Sequence, residues 1–164
     1  MPEIEYVEDR MESEELLERL CPPVRNWFKD KFPDFTEPQK VAIPRILNGE
    51  HLLLCSPTGS GKTLTAFLTI IDDLVRRSLD GSLPDAVQCV YISPIKALAN
   101  DIEKNLLGPL GEIKERYLPS RAKEIKVGLR TGDTPQSERE KMLRKPPHIL
   151  ITTPESMGLG LASK

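Results

Sequence analysis

The densest run of reactive groups in the chain is Ser56-Pro57-Thr58-Gly59-Ser60-Gly61-Lys62-Thr63. Glycines at 59 and 61 free the backbone to curl and to turn successive N–H groups inward, and those donors with a following helix N-terminus make an anion cradle. A lysine at the mouth of that cradle reaches the outer phosphates of a nucleotide, and the adjacent threonine hydroxyl suits Mg²⁺, which bridges phosphate oxygens. The pattern GxGKT needs a strand before it and a helix after it. The usual form of this turn begins with glycine where Ser56 stands. An ordinary strand–turn–helix junction is the plain alternative. The stretch alone points to a nucleoside triphosphate and to no particular reaction.

The flanking sequence supplies the setting. His51-Leu52-Leu53-Leu54-Cys55 reads as a short, continuously apolar strand of the kind buried in a parallel sheet. A long helix is expected from about Lys62 to Leu79, with Asp80-Gly81 as its stop. Further strands are expected at Val87–Ser93, Ile125–Leu129 and Ile149–Ile151. Between them lie helical segments at about 96–107, at 110–117, and from Pro135 to about Arg144. Upstream, Ser13 opens a short helix with Leu16, Leu17 and Leu20 on its apolar face, and Cys21-Pro22-Pro23 stops it. A second short helix covers about Val24 to Phe28. Thr36-Glu37-Pro38-Gln39 reads as a helix start with a capping box, and Pro44 should bend that helix before Asn48-Gly49 ends it. Thr153-Pro154 reads as a cap and first helical residue. Alternating strands and helices argue an α/β layer fold with a mostly parallel sheet, whose ligands bind at the C-terminal ends of the strands.

Composition sets the outer bounds. The chain has 164 residues with 23 Lys+Arg and 25 Asp+Glu, a net charge of −2, and 38% hydrophobic residues. That balance is globular rather than disordered. No apolar run approaches the roughly 18 residues of a membrane span, and the acidic N-terminus lacks a secretory pattern. Three cysteines without a CxxC pair argue against a disulfide framework or zinc site, so a cytoplasmic setting is expected, with no membrane partner. The charge is unevenly placed: residues 1–20 hold eight acids and two bases, whereas residues 114–147 hold ten bases and five acids. A polyanion partner is compatible with that body, although a solvated face explains it equally.

Four further segments accompany the phosphate turn. They are Phe32-Pro33-Asp34-Phe35-Thr36-Glu37-Pro38-Gln39 upstream, then Tyr91 to Asp101 (YISPIKALAND), Arg130-Thr131-Gly132-Asp133-Thr134, and Thr152-Thr153-Pro154-Glu155-Ser156. In this order the five segments resemble the successive motifs of superfamily 2 helicases, and most closely the large helicase-related type. The resemblance covers about residues 22–164 and implies a P-loop, RecA-like α/β domain, with residues 1–21 as an acidic arm and short helix. It implies ATP and Mg²⁺ as cofactors and nucleic acid as partner, DNA ahead of RNA.

Carried over residue by residue, the resemblance puts Ser56, Thr58, Gly59, Ser60, Gly61, Lys62 and Thr63 around ATP. Lys62 and Thr63 take the catalytic contacts, and Thr63 is the metal ligand. Gln39 matches the glutamine that reads adenine, beside the alternative that it only closes a capping box with Thr36. Phe32 matches the aromatic that stacks on adenine, or is core. Phe35 stands where the family often has proline. Pro94, Lys96, Ala97, Asn100, Gly132, Asp133, Thr153, Pro154 and Glu155 match contacts to a nucleic-acid strand, with a solvated Lys96 and a purely structural Thr153 as the plain readings. Arg130, Arg139 and Arg144 are read as surface charges.

The resemblance also implies partners beyond these 164 residues. The family's DExH box, its following motif and a second RecA-like domain are absent from them, and the acidic pairs Asp72-Asp73 and Glu14-Glu15 fall on expected helices. The chain is therefore expected to be part of a longer helicase polypeptide, to hydrolyse no ATP by itself, and to leave the strand at residues 51–55 without neighbours. Competing expectations are a non-catalytic nucleotide or nucleic-acid adaptor and an unrelated P-loop enzyme such as a small-molecule kinase; the latter leaves Gln39 and the two downstream segments unexplained.

Overall fold

A proline pair sets the geometry at the start of the chain. The residue before a proline is driven out of the α region, and Cys21 is extended with ψ of 151°. Helix α1 (Ser13–Arg19) therefore stops, and α2 (Pro22–Lys31) starts on a proline whose missing N–H lies where no helical bond is required. The computed structural model describes residues 6–94 and 102–162. After α2 come α3 (Glu37–Leu47), α4 (Lys62–Asp80), β1 (Cys89–Ile92), a π-helical turn (Glu103–Leu107) leading into α5 (Gly108–Tyr117), β2 (Val127–Arg130), α6 (Gln136–Arg144), β3 (Ile149–Thr152) and α7 (Pro154–Ala162). The chain divides into two compact units. One runs to Asp73 and takes in Asn105–Pro119; the other comprises the described residues of Leu74–Lys104 and Ser120–Lys164.

The first unit is helical. Leu16, Leu20, Val24, Phe28 and Ile43 are buried in its interior, each contributing about 1.5–3 kcal/mol by leaving water. Phe28 stacks on Phe35 with centroids 4.0 Å apart, which explains how Phe35 serves where the resembled family often has proline: it is core. Helices α2 and α5 are joined by polar contacts at their margin. The Trp27 indole donates to Glu112 at 2.6 Å, Lys31 donates to the same carboxylate at 2.8 Å, and the Tyr117 hydroxyl donates to Asp30. Asp72 on α4 is buried and accepts the Cys21 amide at 2.6 Å. Half of the Asp72-Asp73 pair is thus committed to a structural bond at the start of α2.

The second unit holds a three-stranded parallel sheet in the order β1-β3-β2. Both pairings meet at one level, with Ile92 and Arg130 each opposite Thr152. Ile149 and Ile151 in the central strand are buried, as a strand covered on both faces requires. Parallel strands are joined by crossover connections, usually through a helix, and α6 lies in the connection between β2 and β3.

His148 ties the start of all three strands together. Its carbonyl accepts the amides of Gln88 and Cys89, its amide donates to the Lys126 carbonyl, and its Nδ1 accepts the Lys126 amide at 2.9 Å. Accepting at Nδ1 fixes the neutral ring with its proton on Nε2. Burial, followed by the nearby Lys123 and Lys126 charges, lowers its pKa from 6.5, with Asp85 opposing. The sign follows from linkage: the unfolded imidazole takes a proton near pH 6.5 while the folded one resists it. Stability should hold above that pH and fall below it by at most about 1.4 kcal/mol per pH unit. Thermal melts between pH 7.5 and 5.5 test this. His148→Gln should flatten the acid limb, and an unchanged acid limb in that variant would contradict the assignment.

One expected strand is not formed. Residues 51–55 make no ladder, and Leu52 and Leu53 are 38% and 84% exposed. The expectation of a strand at His51–Cys55 is thus corrected. The apolar run has strand character, yet a strand exists only through partners for its N–H and C=O groups, and the described residues supply none there. Amides of Leu52–Leu54 should exchange with solvent roughly a hundredfold faster than those of Ile149–Thr152. Hydrogen-exchange mass spectrometry checks this, and equal protection of the two segments would contradict it.

Candidate nucleotide and nucleic-acid sites

The phosphate turn is built on the first unit. Gly59 and Gly61 have φ of +85° and +87°, the left-handed region that side chains with a Cβ rarely adopt. The turn passes into α4, whose first residue is Lys62 and second is Thr63. The Ser56 and Ser60 hydroxyls lie 2.5 Å apart, so the serine in place of the customary glycine closes the base of the turn. Lys62 is folded back: its Nζ donates to the carbonyls of Ser56 at 2.5 Å and Pro57 at 2.7 Å. The ammonium thus sits among the loop's own acceptors, the position from which it must turn to meet an anion. Thr58 is exposed at the tip.

Helix α3 braces this turn. Gln39 Oε1 accepts the Thr36 amide at 2.9 Å, closing the capping box. The Thr36 hydroxyl donates to the Ser60 carbonyl at 2.8 Å. Gln39 is buried, and its Nε2 lies 2.8 Å from where a Cβ on Gly61 would stand. Gln39 is therefore both cap and wall of the turn. Thr36, read from sequence only as a cap, proves to be a direct strut to Ser60; the threonine-to-carbonyl bond joins residues 24 apart and leaves no mark in local sequence. Phe32 is 36% exposed and packs against Trp27 and Phe28 at centroid distances of 5.8 and 5.0 Å. It is part core edge and part open ring.

The remaining candidates belong to the second unit. Because β1, β3 and β2 run parallel in register, their C-terminal ends release Ser93-Pro94, Thr153-Pro154-Glu155 and Thr131–Thr134 along one edge of the sheet. Pro94, Gly132, Asp133, Pro154 and Glu155 are exposed. Thr153 is buried and its Oγ1 accepts the Ser156 amide at 3.3 Å, so its capping role is real. Lys96, Ala97 and Asn100 lie outside the described residues. No group of three or more His, Cys, Asp or Glu that could hold a metal occurs among the described residues; a Mg²⁺ ion at Thr63 would have to share its shell with phosphate oxygens and water.

A glycine-rich turn braced by a buried glutamine, with three loops at one sheet edge, is matched by the family model described as DEAD/DEAH box helicase over residues 36–162. The chain belongs to the DEAD/DEAH box helicase family. It is 48% identical to the ATP-dependent helicase Lhr-Core of Methanocaldococcus jannaschii over 99% of its own length and 20% of that protein. Its fold matches the structure of Mycobacterium smegmatis helicase Lhr bound to ssDNA and AMP-PNP, with a TM-score of 0.76, 45% identity, and coverage of 90% of this chain and 18% of the other. It also matches Mss116p bound to ssRNA and AMP-PNP, with a TM-score of 0.67, 24% identity, and coverage of 94% and 30%; that likeness speaks to fold. The chain spans about a fifth of the length of the curated helicase relative it matches. The α/β, RecA-like helicase fold expected from the motif order is thereby established. No helix among the described residues is long and apolar enough to cross a membrane.

Proposed function

We propose that this chain is the nucleotide-binding and strand-tracking part of an ATP-dependent helicase. The reading assigns residues 22–164 to a partial RecA-like domain, with residues 1–21 as an acidic arm. The observation that carries it is the bracing of Gly61 by Gln39: one buried side chain closes the capping box and walls the phosphate turn. In this reading Ser56, Thr58, Gly59, Ser60 and Gly61 present the cradle, Lys62 leaves its two carbonyls to bind the outer phosphates, and Thr63 holds Mg²⁺. The Gln39 side-chain amide and the open face of Phe32 receive the base. Bound ATP supplies the free energy of phosphoryl transfer to the whole enzyme, and the protein's part is positioning and electrostatics. Pro94, Lys96, Ala97, Asn100, Gly132, Asp133, Thr153, Pro154 and Glu155 follow the phosphates of a nucleic-acid strand. Such contacts position a strand without reading its sequence. Single-stranded DNA is the favoured partner, in line with the ligand of the Mycobacterium smegmatis relative, and the cytoplasm is the expected setting.

The chain by itself is expected to bind ATP without turning it over, because the DExH carboxylates that polarise water in the resembled motif set are not among its 164 residues, and Asp72 is engaged with the Cys21 amide. Binding of a fluorescent ATP analogue with Mg²⁺, competed by ATP and by GTP, tests the site. Competition by ATP alone is expected; equal competition by GTP would overturn the adenine-reading role of Gln39. Turnover stimulated by an oligonucleotide and dependent on Lys62 would overturn the expectation of inactivity.

A further inference from the structure

Arg139 looks from sequence like one more surface charge, but the structure gives it a different place. It lies in the first turn and a half of α6, toward the positive end of the helix dipole, where a cation gains nothing from the helix. Its guanidinium is partly buried and folds back over the preceding loop. There Nε donates to the Thr134 carbonyl at 2.8 Å, and one terminal nitrogen donates to the carbonyls of Gly132 at 2.8 Å and Thr131 at 3.3 Å. A second set of bonds closes the same loop: the Thr131 amide donates to Thr134 Oγ1 at 2.8 Å, and the Thr134 amide to the Thr131 carbonyl at 3.3 Å.

Three carbonyls of a four-residue loop are thus gathered toward one guanidinium. Among the described residues, the amides of Gly132 and Asp133 make no hydrogen bond. Both residues are exposed. A loop whose acceptors are held on one side by a cation, and whose middle donors are left unspent, is arranged to receive an anion at those donors. Arginine's planar fork matches the spread of these three carbonyls across the loop; a lysine ammonium keeps the charge and loses that shape.

We propose that Arg139 is a positioning residue for strand binding, which holds the Gly132-Asp133 amides ready for a backbone phosphate without itself touching the strand. This rests on the reading of Gly132 and Asp133 as nucleic-acid contacts. It predicts a specific split between charge and shape. Arg139→Lys should bind as poorly as Arg139→Ala, about tenfold weaker than the parent, the effect expected for losing well-placed hydrogen bonds to a charged group. The salt dependence of binding should keep its slope in both variants, because neutral amides release no counterions.

The test is a titration of the 164-residue chain with a short oligothymidylate, read by amide NMR shifts and by fluorescence anisotropy across a salt series. In the parent chain the Gly132 and Asp133 amides should shift on titration, and in both Arg139 variants their free-state positions should move and the response should weaken. Thr134→Val loosens the loop from its other side with Arg139 intact and should reproduce the loss; it serves if an Arg139 variant folds poorly. Full affinity in Arg139→Lys, or a salt slope reduced by about one in Arg139→Ala, would mean that Arg139 meets the phosphate directly and would overturn the proposal. Shifts at Gly132 and Asp133 that persist unaltered in Arg139→Ala would overturn it as well. If those amides fail to respond even in the parent chain, the nucleic-acid reading of the loop falls, and the proposal falls with it.

Discussion

Replacing Lys62 by alanine is expected to weaken ATP binding by about 10- to 100-fold while leaving the fold nearly untouched. The ammonium is the one formal positive charge within the turn, and hydrogen bonds to charged groups contribute about 1.5–3 kcal/mol each. Its present partners are two backbone carbonyls, Ser56 and Pro57, at the rim of the loop. Their loss exposes acceptors that water serves readily, so the cost in stability should stay below about 1 kcal/mol. The contrast is the informative part. A residue that merely stitched the loop would show the reverse, with a lower melting temperature and an unchanged affinity. Calorimetric titration with ATP and a thermal melt on the same sample separate the two outcomes.

Gly61→Ala should act in the opposite manner, through the fold first and the ligand second. Two costs combine. A Cβ at φ of +87° costs about 1–2 kcal/mol, and that Cβ would stand 2.8 Å from Gln39 Nε2. Gln39 is held by its bond to the Thr36 amide, so yielding means losing a hydrogen bond worth about 1 kcal/mol. Together these give about 2–3 kcal/mol, read as a shift in denaturation midpoint, with ATP binding reduced as the wall of the turn moves. Gly59→Ala is the control: φ is nearly the same at +85°, but nothing lies within 4 Å of the added carbon. It should cost only the conformational part. Equal destabilisation by the two substitutions would show that Gln39 does not brace the turn.

What the sequence reveals and what it conceals divides along local and distant bonds. Helix α4 was legible because its start is dictated by Gly61-Lys62 and its end by Asp80-Gly81, all within one stretch; it runs Lys62–Asp80. The capping box of α3 and the Thr153 cap of α7 are legible for the same reason, as side chains bonded to backbone three residues away. The order of the five motifs pointed to the helicase fold, which the comparisons bear out. The segment at residues 51–55 was not legible, because an apolar run records only the propensity for a strand, and the partners that complete one are supplied from elsewhere in a chain. The place of Arg139 is hidden in the sequence for a related reason. Its partners are backbone carbonyls, and no residue type announces that a carbonyl will point toward a guanidinium. Gln39 sat between these cases: the capping bond was readable from spacing, whereas its contact with Gly61 joins positions 22 apart.

The central claim is that the turn from Ser56 to Thr63, braced by Gln39, receives a nucleoside triphosphate. Titrating the isotopically labelled 164-residue chain with AMP-PNP and Mg²⁺ tests it most directly. The account predicts saturable shifts at the backbone amides of Gly59, Ser60, Gly61, Lys62 and Thr63 and at the Gln39 side-chain amide, all abolished in Lys62→Ala. Shifts that bypass Gly59–Thr63, or that survive unchanged in Lys62→Ala, would contradict it.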